Sequence, residues 1–170
     1  MALYKEPLRV SMNERIHVTE AEINSISLFF FFILLDDQKA LDASSQAVAL
    51  FKSKIEKKTD ISREALLVSV TKTIWDKCRA RIIRGRNHSL NSNLWNIPEG
   101  LDLGPWKEFQ KTASEDELLT LVWSKVLKIP DQDISKALNI TTGTVRYRLG
   151  RALRKMGVMT QNVVALRHEP

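Results

Sequence analysis

The stretch PDQDISKALNITTGTVRYRLGRALRKMG, residues 130–157, decides the fold of the C-terminal part of this chain. Asp131 is suited to cap a short helix, and Asn139 tolerates the left-handed conformation that a sharp helix exit needs. Thr141 is suited to cap the helix that follows. This turn chemistry predicts a helix-turn-helix.

The second helix of this pair has one apolar side. Apolar residues recur at steps of four, three and four positions, at Val145, Leu149, Ala152 and Met156. Because these steps follow the 3.6-residue period of a helix, the four side chains share one face and predict its contact with a core. The short first helix is expected to bury Ile134, Ala137 and Leu138 against the same core.

The opposite side of the second helix carries positive charges and no negative one. Arginine side chains fork onto guanine or onto phosphate oxygens, and a helix fits the major groove of DNA. The alternative interpretation is a basic face that is simply solvated. With the turn and the core spacing included, the pattern favours contact with double-stranded DNA through Thr142, Thr144, Arg146, Tyr147, Arg148, Arg151, Arg154 and Lys155.

A supporting helix is predicted just before this pair. Ser114 and Glu117 have the spacing of a capping box, and apolar residues continue at helical spacing, so we expect an amphipathic helix over 115–128. Trp123 is interpreted as an anchor in the core or at its rim rather than as a base-stacking residue.

Residues 115–157 resemble region four, the promoter-binding C-terminal domain of bacterial sigma factors, especially the short extracytoplasmic-function type. The family's run I-A-x-x-L-G-I-S-x-G-T-V-K-S-R-L-x-R-A is matched by Ile134, Leu138, Ile140, Gly143, Thr144, Val145, Arg146, Arg148, Leu149, Arg151 and Ala152. Response-regulator helix-turn-helix domains share the first half of this run, and its arginine-rich continuation favours the sigma type. The resemblance implies that this domain reads the minus-thirty-five promoter element as a duplex.

Four consecutive phenylalanines mark the first helix predicted in the N-terminal part. Thr19 and Glu22 have the spacing of a capping box ahead of them, so we expect Phe29–Phe32 to be helical rather than a strand. The apolar run over 28–35 is shorter than the roughly 20 residues that span a bilayer. It therefore predicts a buried segment or a partner surface.

Two further N-terminal helices complete an all-α fold class. The first is predicted around Ala40–Phe51, and the second over 63–84 with Asp60 or Ser62 as its cap. Cations cluster near the C-terminal end of the latter, and Trp75 either completes the core or stacks on unpaired bases. The candidate second DNA contact consists of Lys72, Trp75, Lys77, Arg79 and Arg81.

The sigma-factor resemblance extends more weakly into this N-terminal part. Residues 40–54, ALDASSQAVALFKSK, resemble the helix that grips RNA polymerase, and residues 65–86 resemble the basic helix that recognises and opens the promoter. The resemblance implies that Asp42 and Gln46 contact core RNA polymerase and that the N-terminal domain engages the minus-ten element. It also implies an anti-sigma or other regulatory protein as a partner.

The segment 87–111 divides the chain. Its asparagines, glycines and prolines break helices, so we expect a linker there between two small helical domains, residues 1–86 and 112–170. Its apolar residues, Trp95 and Trp106 among them, are costly to leave in water. We expect them to pack within the chain rather than in a groove on a partner.

Composition excludes several functional classes. The chain has 170 residues, a net charge of +6 and one cysteine, so no internal disulfide forms and a reducing cytoplasm fits. Its three histidines have no metal-ligand spacing, and we expect neither metal nor cofactor. No catalytic motif indicates an enzyme. Acidic residues precede the apolar run, which is the wrong order for a signal peptide, and no membrane association is expected.

Two other functions remain open at the level of sequence. The first is a helix-turn-helix transcriptional regulator that binds DNA but has lost core polymerase binding. The second is an adaptor that holds a protein partner through Phe29–Phe32 and the tryptophans of the linker.

Overall fold

The computed structural model of the protein describes residues 17–57, 60–82 and 102–166, with the backbone alone for 80–82 and 160–166. These residues form α-helices and no strand, which confirms the all-α fold class. The helices are α1 (Glu20–Leu34), α2 (Asp37–Glu56), α3 (Arg63–Ile82), α4 (Gly104–Thr112), α5 (Glu115–Leu121), α6 (Asp131–Leu138) and α7 (Thr142–Leu166). Within the described ranges, no helix combines the length and apolarity needed to cross a membrane.

The phenylalanine run is helical, as the sequence predicts. The Thr19 backbone amide donates to the Glu22 carboxylate at 2.7 Å, and the Glu22 amide donates to the Thr19 hydroxyl at 3.3 Å, so the capping box fixes the start of α1. Phe29, Phe30 and Phe31 are buried. The run is therefore a core segment.

Short side-chain caps also begin α2 and α3. Asp36 accepts from the Lys39 amide at 3.0 Å ahead of α2. Ser62, rather than Asp60, caps α3 by accepting from the Ala65 amide at 3.2 Å. Both helices turn apolar residues into the core, namely Ala40, Ala43, Ala47 and Phe51 from α2 and Leu66, Leu67, Val70 and Ile74 from α3.

Helix α4 occupies the last part of the segment in which the sequence predicts a linker. Trp106 is buried, and its indole nitrogen donates to the Phe32 carbonyl oxygen at 2.8 Å. Gln110 donates to the same carbonyl at 2.7 Å. This tryptophan therefore packs within the chain, against the end of α1, whereas residues 87–101, with Trp95, lie outside the described residues.

Helix α5 ends earlier than the sequence predicts. Its capping box forms, since the Ser114 amide donates to Glu117 at 2.9 Å. The helix then widens into a π-helical turn over Val122–Val126, in which the Leu127 amide donates to the Val122 carbonyl at 3.0 Å. One extra residue per turn rotates the following side chains by about 100°. The helix that the sequence predicts over 115–128 is therefore present as far as Val126, with its last five residues in a π-helical turn.

The turn between α6 and α7 has the predicted chemistry. Asn139 is left-handed, with φ 53°, and the Thr141 hydroxyl accepts from the Thr144 amide at 3.1 Å. The expectation that Asp131 caps α6 is wrong, because Pro130 stands at the cap position and the Asp131 carboxylate pairs with Arg146 at 3.1 Å. Val145, Ala152 and Ile134 are fully buried, while Leu149, Met156, Ala137 and Leu138 are partly buried.

Trp123, in the π-helical turn, joins the N-terminal and C-terminal helices. Its ring stacks on Phe29 with centroids 5.6 Å apart, and its indole nitrogen donates to the Thr71 hydroxyl of α3 at 3.0 Å. Residues from both predicted domains thus share one hydrophobic core. The division into two domains, 1–86 and 112–170, stays a prediction.

We expect Trp123→Ala to lower the free energy of unfolding by about 3–5 kcal/mol, because it leaves a cavity where α1, α3 and the π-helical turn meet. Chemical denaturation measures the change. Leu41→Ala is the control, since Leu41 is 45% exposed and its replacement should cost no more than about 0.5 kcal/mol. Equal effects of the two substitutions would contradict this account of the core.

Candidate nucleic-acid interface

Helix α7 presents the cationic face that the sequence predicts. Its 25 residues include no acid, and its apolar side is seated on the core. On the solvent side, the Arg146 side chain is 73% exposed and Tyr147 is 62% exposed. Arg151 and Arg154 are also exposed. Thr142 and Thr144 are half-buried at the start of the helix, where the Thr144 and Thr141 hydroxyls are 2.9 Å apart.

Most of the cations of α7 have carboxylate partners, which the sequence reasoning missed. Arg146 pairs with Asp131 at 3.1 Å, and Arg148 pairs with Asp116 at 2.7 Å. Arg151 and Lys155 share a third carboxylate. Among the described residues, Arg154 has no ion pair. The acids come from α5 and α6, so a charge count along α7 alone could not reveal them.

Glu117 is the third carboxylate and is almost completely buried, at 2% exposed. Lys155 Nζ donates to its Oε2 atom at 2.6 Å, and the Ser114 amide donates to the same oxygen. The Oε1 atom lies 2.8 Å from Arg151 Nε, at an angle that makes an ion pair but no hydrogen bond. One acid therefore caps α5 and holds two cations of α7.

The net effect of these contacts is to lower the pKa of Glu117. Burial by itself raises this pKa, but the hydrogen bonds from Lys155 and Ser114 and the charges of Lys155 and Arg151 outweigh it. Glu117 is therefore ionised in the folded protein down to a pH below its ordinary range. Its charge stabilises the fold at neutral pH, and this contribution is lost as the pH falls through the lowered value.

Arg151 is held between Glu117 and Tyr147. Its guanidinium carbon lies 5.8 Å from the centre of the Tyr147 ring, and one guanidinium nitrogen is 3.5 Å from the tyrosine hydroxyl. The side chain is still 47% exposed. The contact with Glu117 does not bury it, so a ligand can still reach part of this arginine.

Two cations of the candidate second DNA contact, on α3, also form ion pairs with carboxylates. Lys72 pairs with Asp76 at 2.6 Å and lies 3.6 Å from Glu115, to which Arg79 donates at 2.6 Å. Lys77 is exposed on the same helix. Trp75 is only partly exposed and packs against the core, a position that fits its interpretation as a core residue. The Arg81 side chain is outside the described set.

The two residues named as candidate polymerase contacts lie in solvent on α2, which packs on α1 and α3. The Asp42 carboxylate accepts from Gln38 at 3.2 Å, and Gln46 Nε2 donates to the Asp42 carbonyl oxygen at 3.3 Å. These bonds stay within the helix. The face that carries Asp42 and Gln46 is therefore accessible to a partner.

We expect Glu117→Gln to lower the free energy of unfolding at pH 7 by about 1.5–3 kcal/mol, because it removes a charge that holds two cations. The difference from the wild type should shrink as the pH falls below the ordinary value of 4.5, where the Glu117 carboxylate of the unfolded chain takes up its proton, and it should be smallest below the lowered pKa of the folded protein. Denaturation at a series of pH values measures both effects.

Glu108→Gln is the matched control, because Glu108 is 55% exposed and pairs only at the surface with Lys111. The pKa of Glu22 is also lowered, by contacts with Arg63 and Thr19 that outweigh its burial, but it titrates equally in both proteins and cancels in the comparison. A gap between wild type and Glu117→Gln that stays constant with pH would disprove the assigned role of the charge.

The arrangement on α7 suits recognition of a polyanion. A helix seated by its apolar side offers arginine, tyrosine and threonine side chains to one ligand, in a form that fits the major groove.

Within the described residues, no group of three or more acids, histidines or cysteines is placed to hold a metal ion. The chain matches no protein-family model, no curated protein and no solved structure.

Proposed function

We propose that this chain is a DNA-binding transcription factor that reads double-stranded promoter DNA through α7. The observation that carries the proposal is the exposed cationic face of α7, which has no acid of its own and includes Arg154, a side chain with no ion pair among the described residues. Its seating on a buried apolar side, through Val145 and Ala152, fixes the direction in which this face points. Arginine in such a position contacts guanine or phosphate.

Within this proposal, the first candidate is a transcription initiation factor that resembles extracytoplasmic-function sigma factors. It directs core RNA polymerase to promoters, works in the cytoplasm and carries no catalytic residue or cofactor of its own. The support for polymerase binding is the solvent-exposed face of α2 with Asp42 and Gln46. An anti-sigma or other regulatory protein belongs to the same candidate function.

The second candidate is a helix-turn-helix regulator that binds DNA but not core polymerase. The shared core favours it, because Trp123 ties the C-terminal helices to Phe29 and Thr71. The sequence resemblance to sigma factors implies that the two parts engage two separate promoter elements. Helices joined through one core are better suited to a single DNA site.

We expect Arg154→Ala to weaken binding to a preferred duplex by about 1–3 kcal/mol, roughly fivefold to more than a hundredfold, if Arg154 reads a base. Arg154 is preferred to Arg151 as the test residue, because replacing Arg151 also removes a contact to buried Glu117. Fluorescence anisotropy with preferred and scrambled duplexes at several salt concentrations measures the affinity.

Lys52→Ala on α2 removes the same charge from an exposed position outside α7 and is the control. A base contact relaxes sequence preference with little change of the salt slope, whereas a phosphate contact weakens all duplexes alike and lowers the slope by about one. If Arg154→Ala and Lys52→Ala bind every duplex as the wild type does, the proposed role of α7 is wrong.

The two candidates differ in one measurement, the comigration of purified protein with core RNA polymerase. The initiation factor is expected to comigrate, and the double substitution Asp42→Ala, Gln46→Ala should abolish this while DNA binding persists. The regulator is expected to shift a DNA fragment alone and to stay separate from polymerase. In vitro transcription with core polymerase provides the functional readout.

A further inference from the structure

We infer that the two basic clusters, on α3 and on α7, form one binding surface that takes a single continuous stretch of duplex DNA. This inference rests on the proposed DNA-binding function and fits its second candidate, the regulator that reads a single DNA site. It differs from the sequence-based expectation, in which the two clusters engage two separate promoter elements. The reasons lie in the core, in the surface charges and in the size of the folded body.

Buried contacts hold the two cationic helices to each other. Trp123 donates to Thr71 of α3 and stacks on Phe29 of α1, while Val145 and Ala152 of α7 are fully buried in the same core. At the surface, Ser62 before α3 donates to Asp133 of α6 at 2.5 Å. Separating α3 from α7 would expose this apolar surface to water, which opposes separation.

The charged side chains of both clusters converge on the first turn of α5. Glu115 forms ion pairs with Arg79 and Lys72 of α3, whereas its neighbour Asp116 forms an ion pair with Arg148 of α7. Glu117 forms ion pairs with two more cations of α7, Arg151 and Lys155. Neighbouring residues in a helix are offset by about 1.5 Å along the axis and by about 100° around it, so the cations of α3 and α7 meet the same turn of α5 from two directions. We call this set, Lys72, Arg79, Glu115, Asp116, Glu117, Arg148, Arg151 and Lys155, the charged band.

The charged band holds its cations ready for a ligand. Arg79 and Arg151 are about half-exposed although each has a carboxylate partner. Ordering a long side chain on binding costs about 0.5–1.5 kcal/mol, and side chains already ordered by the acids avoid part of that cost. Arg154 and Lys77, which have no ion pair among the described residues, add positive charge on α7 and α3.

The dimensions decide between one DNA site and two. The described residues, 17–57, 60–82 and 102–166, number about 130, and a compact body of that size has a radius of gyration of about 14 Å, so its contact surface spans about 40 Å at most. Promoter elements roughly 25 base pairs apart are separated by about 85 Å at about 3.4 Å per base pair. The folded body therefore reaches one site of about one helical turn but cannot contact both elements together.

A disulfide between α3 and α6 tests the inference directly. Ser62→Cys and Asp133→Cys place cysteines at two positions whose native side chains touch, and Cys78→Ala removes the native thiol. The probe is the duplex that the wild-type chain selects from a random pool. The same protein after reduction is the matched control, and mass spectrometry verifies the bond.

The oxidised protein is expected to bind this duplex with a Kd within about fivefold of the reduced protein, a difference of about 1 kcal/mol or less. A larger loss on oxidation would show that the helices must separate, and it would overturn the inference while leaving the proposed function standing. If neither the wild type nor the reduced protein prefers any duplex, the proposed function itself fails.

Footprinting with the unmodified chain gives an answer that does not depend on the engineered bond. We expect one uninterrupted protected stretch of at most about two helical turns, roughly 20 base pairs. Arg79→Ala should weaken protection at one end of that stretch, and Arg154→Ala should act elsewhere within it. Two protected stretches separated by accessible DNA would refute the single surface.

Discussion

The placement of Trp123 is the constraint on which the rest of this structure depends. Its ring lies flat against Phe29, and its indole hydrogen goes to Thr71, so one side chain contacts α1 and α3 from the C-terminal half. Trp123 lies within the π-helical turn and is almost fully buried, and α6 and α7 follow it and pack on the same core. The position of the cationic helix is thus a consequence of core packing far from its own surface.

Electrostatics adds a second level to this organisation. The first turn of α5 concentrates three acids at the positive end of its dipole, where carboxylates are favourable in any case. Because cations of α3 and α7 approach from two directions, these acids also organise the surface around them. Of the three acids, Glu117 makes the most contacts, because its buried carboxylate both caps α5 and forms ion pairs with α7. The acids make the net charge of the surface less positive, and their ion pairs hold its arginine side chains in fixed positions.

Local features of the fold could be predicted from sequence, and features that depend on distant neighbours could not. The capping boxes at Thr19 and Ser114 and the left-handed Asn139 each depend on a few adjacent residues. Periodicity does not reveal the π-helical turn, which contains the buried Trp123. At the candidate site, spacing predicted which side of α7 faces solvent. It could not predict that Asp116, Glu117 and Asp131 would approach the arginines, because these acids come from other helices.

The burial of α1 has a consequence for synthesis of the chain. Phe29 and Phe32 are covered in part by Trp123 and Trp106, which follow them by more than seventy positions. The ribosome therefore releases α1 well before the tryptophans that cover it. During this interval a strongly apolar helix is open to aggregation or to capture by chaperones. At about 5–20 residues per second, the exposure lasts on the order of 4–19 seconds.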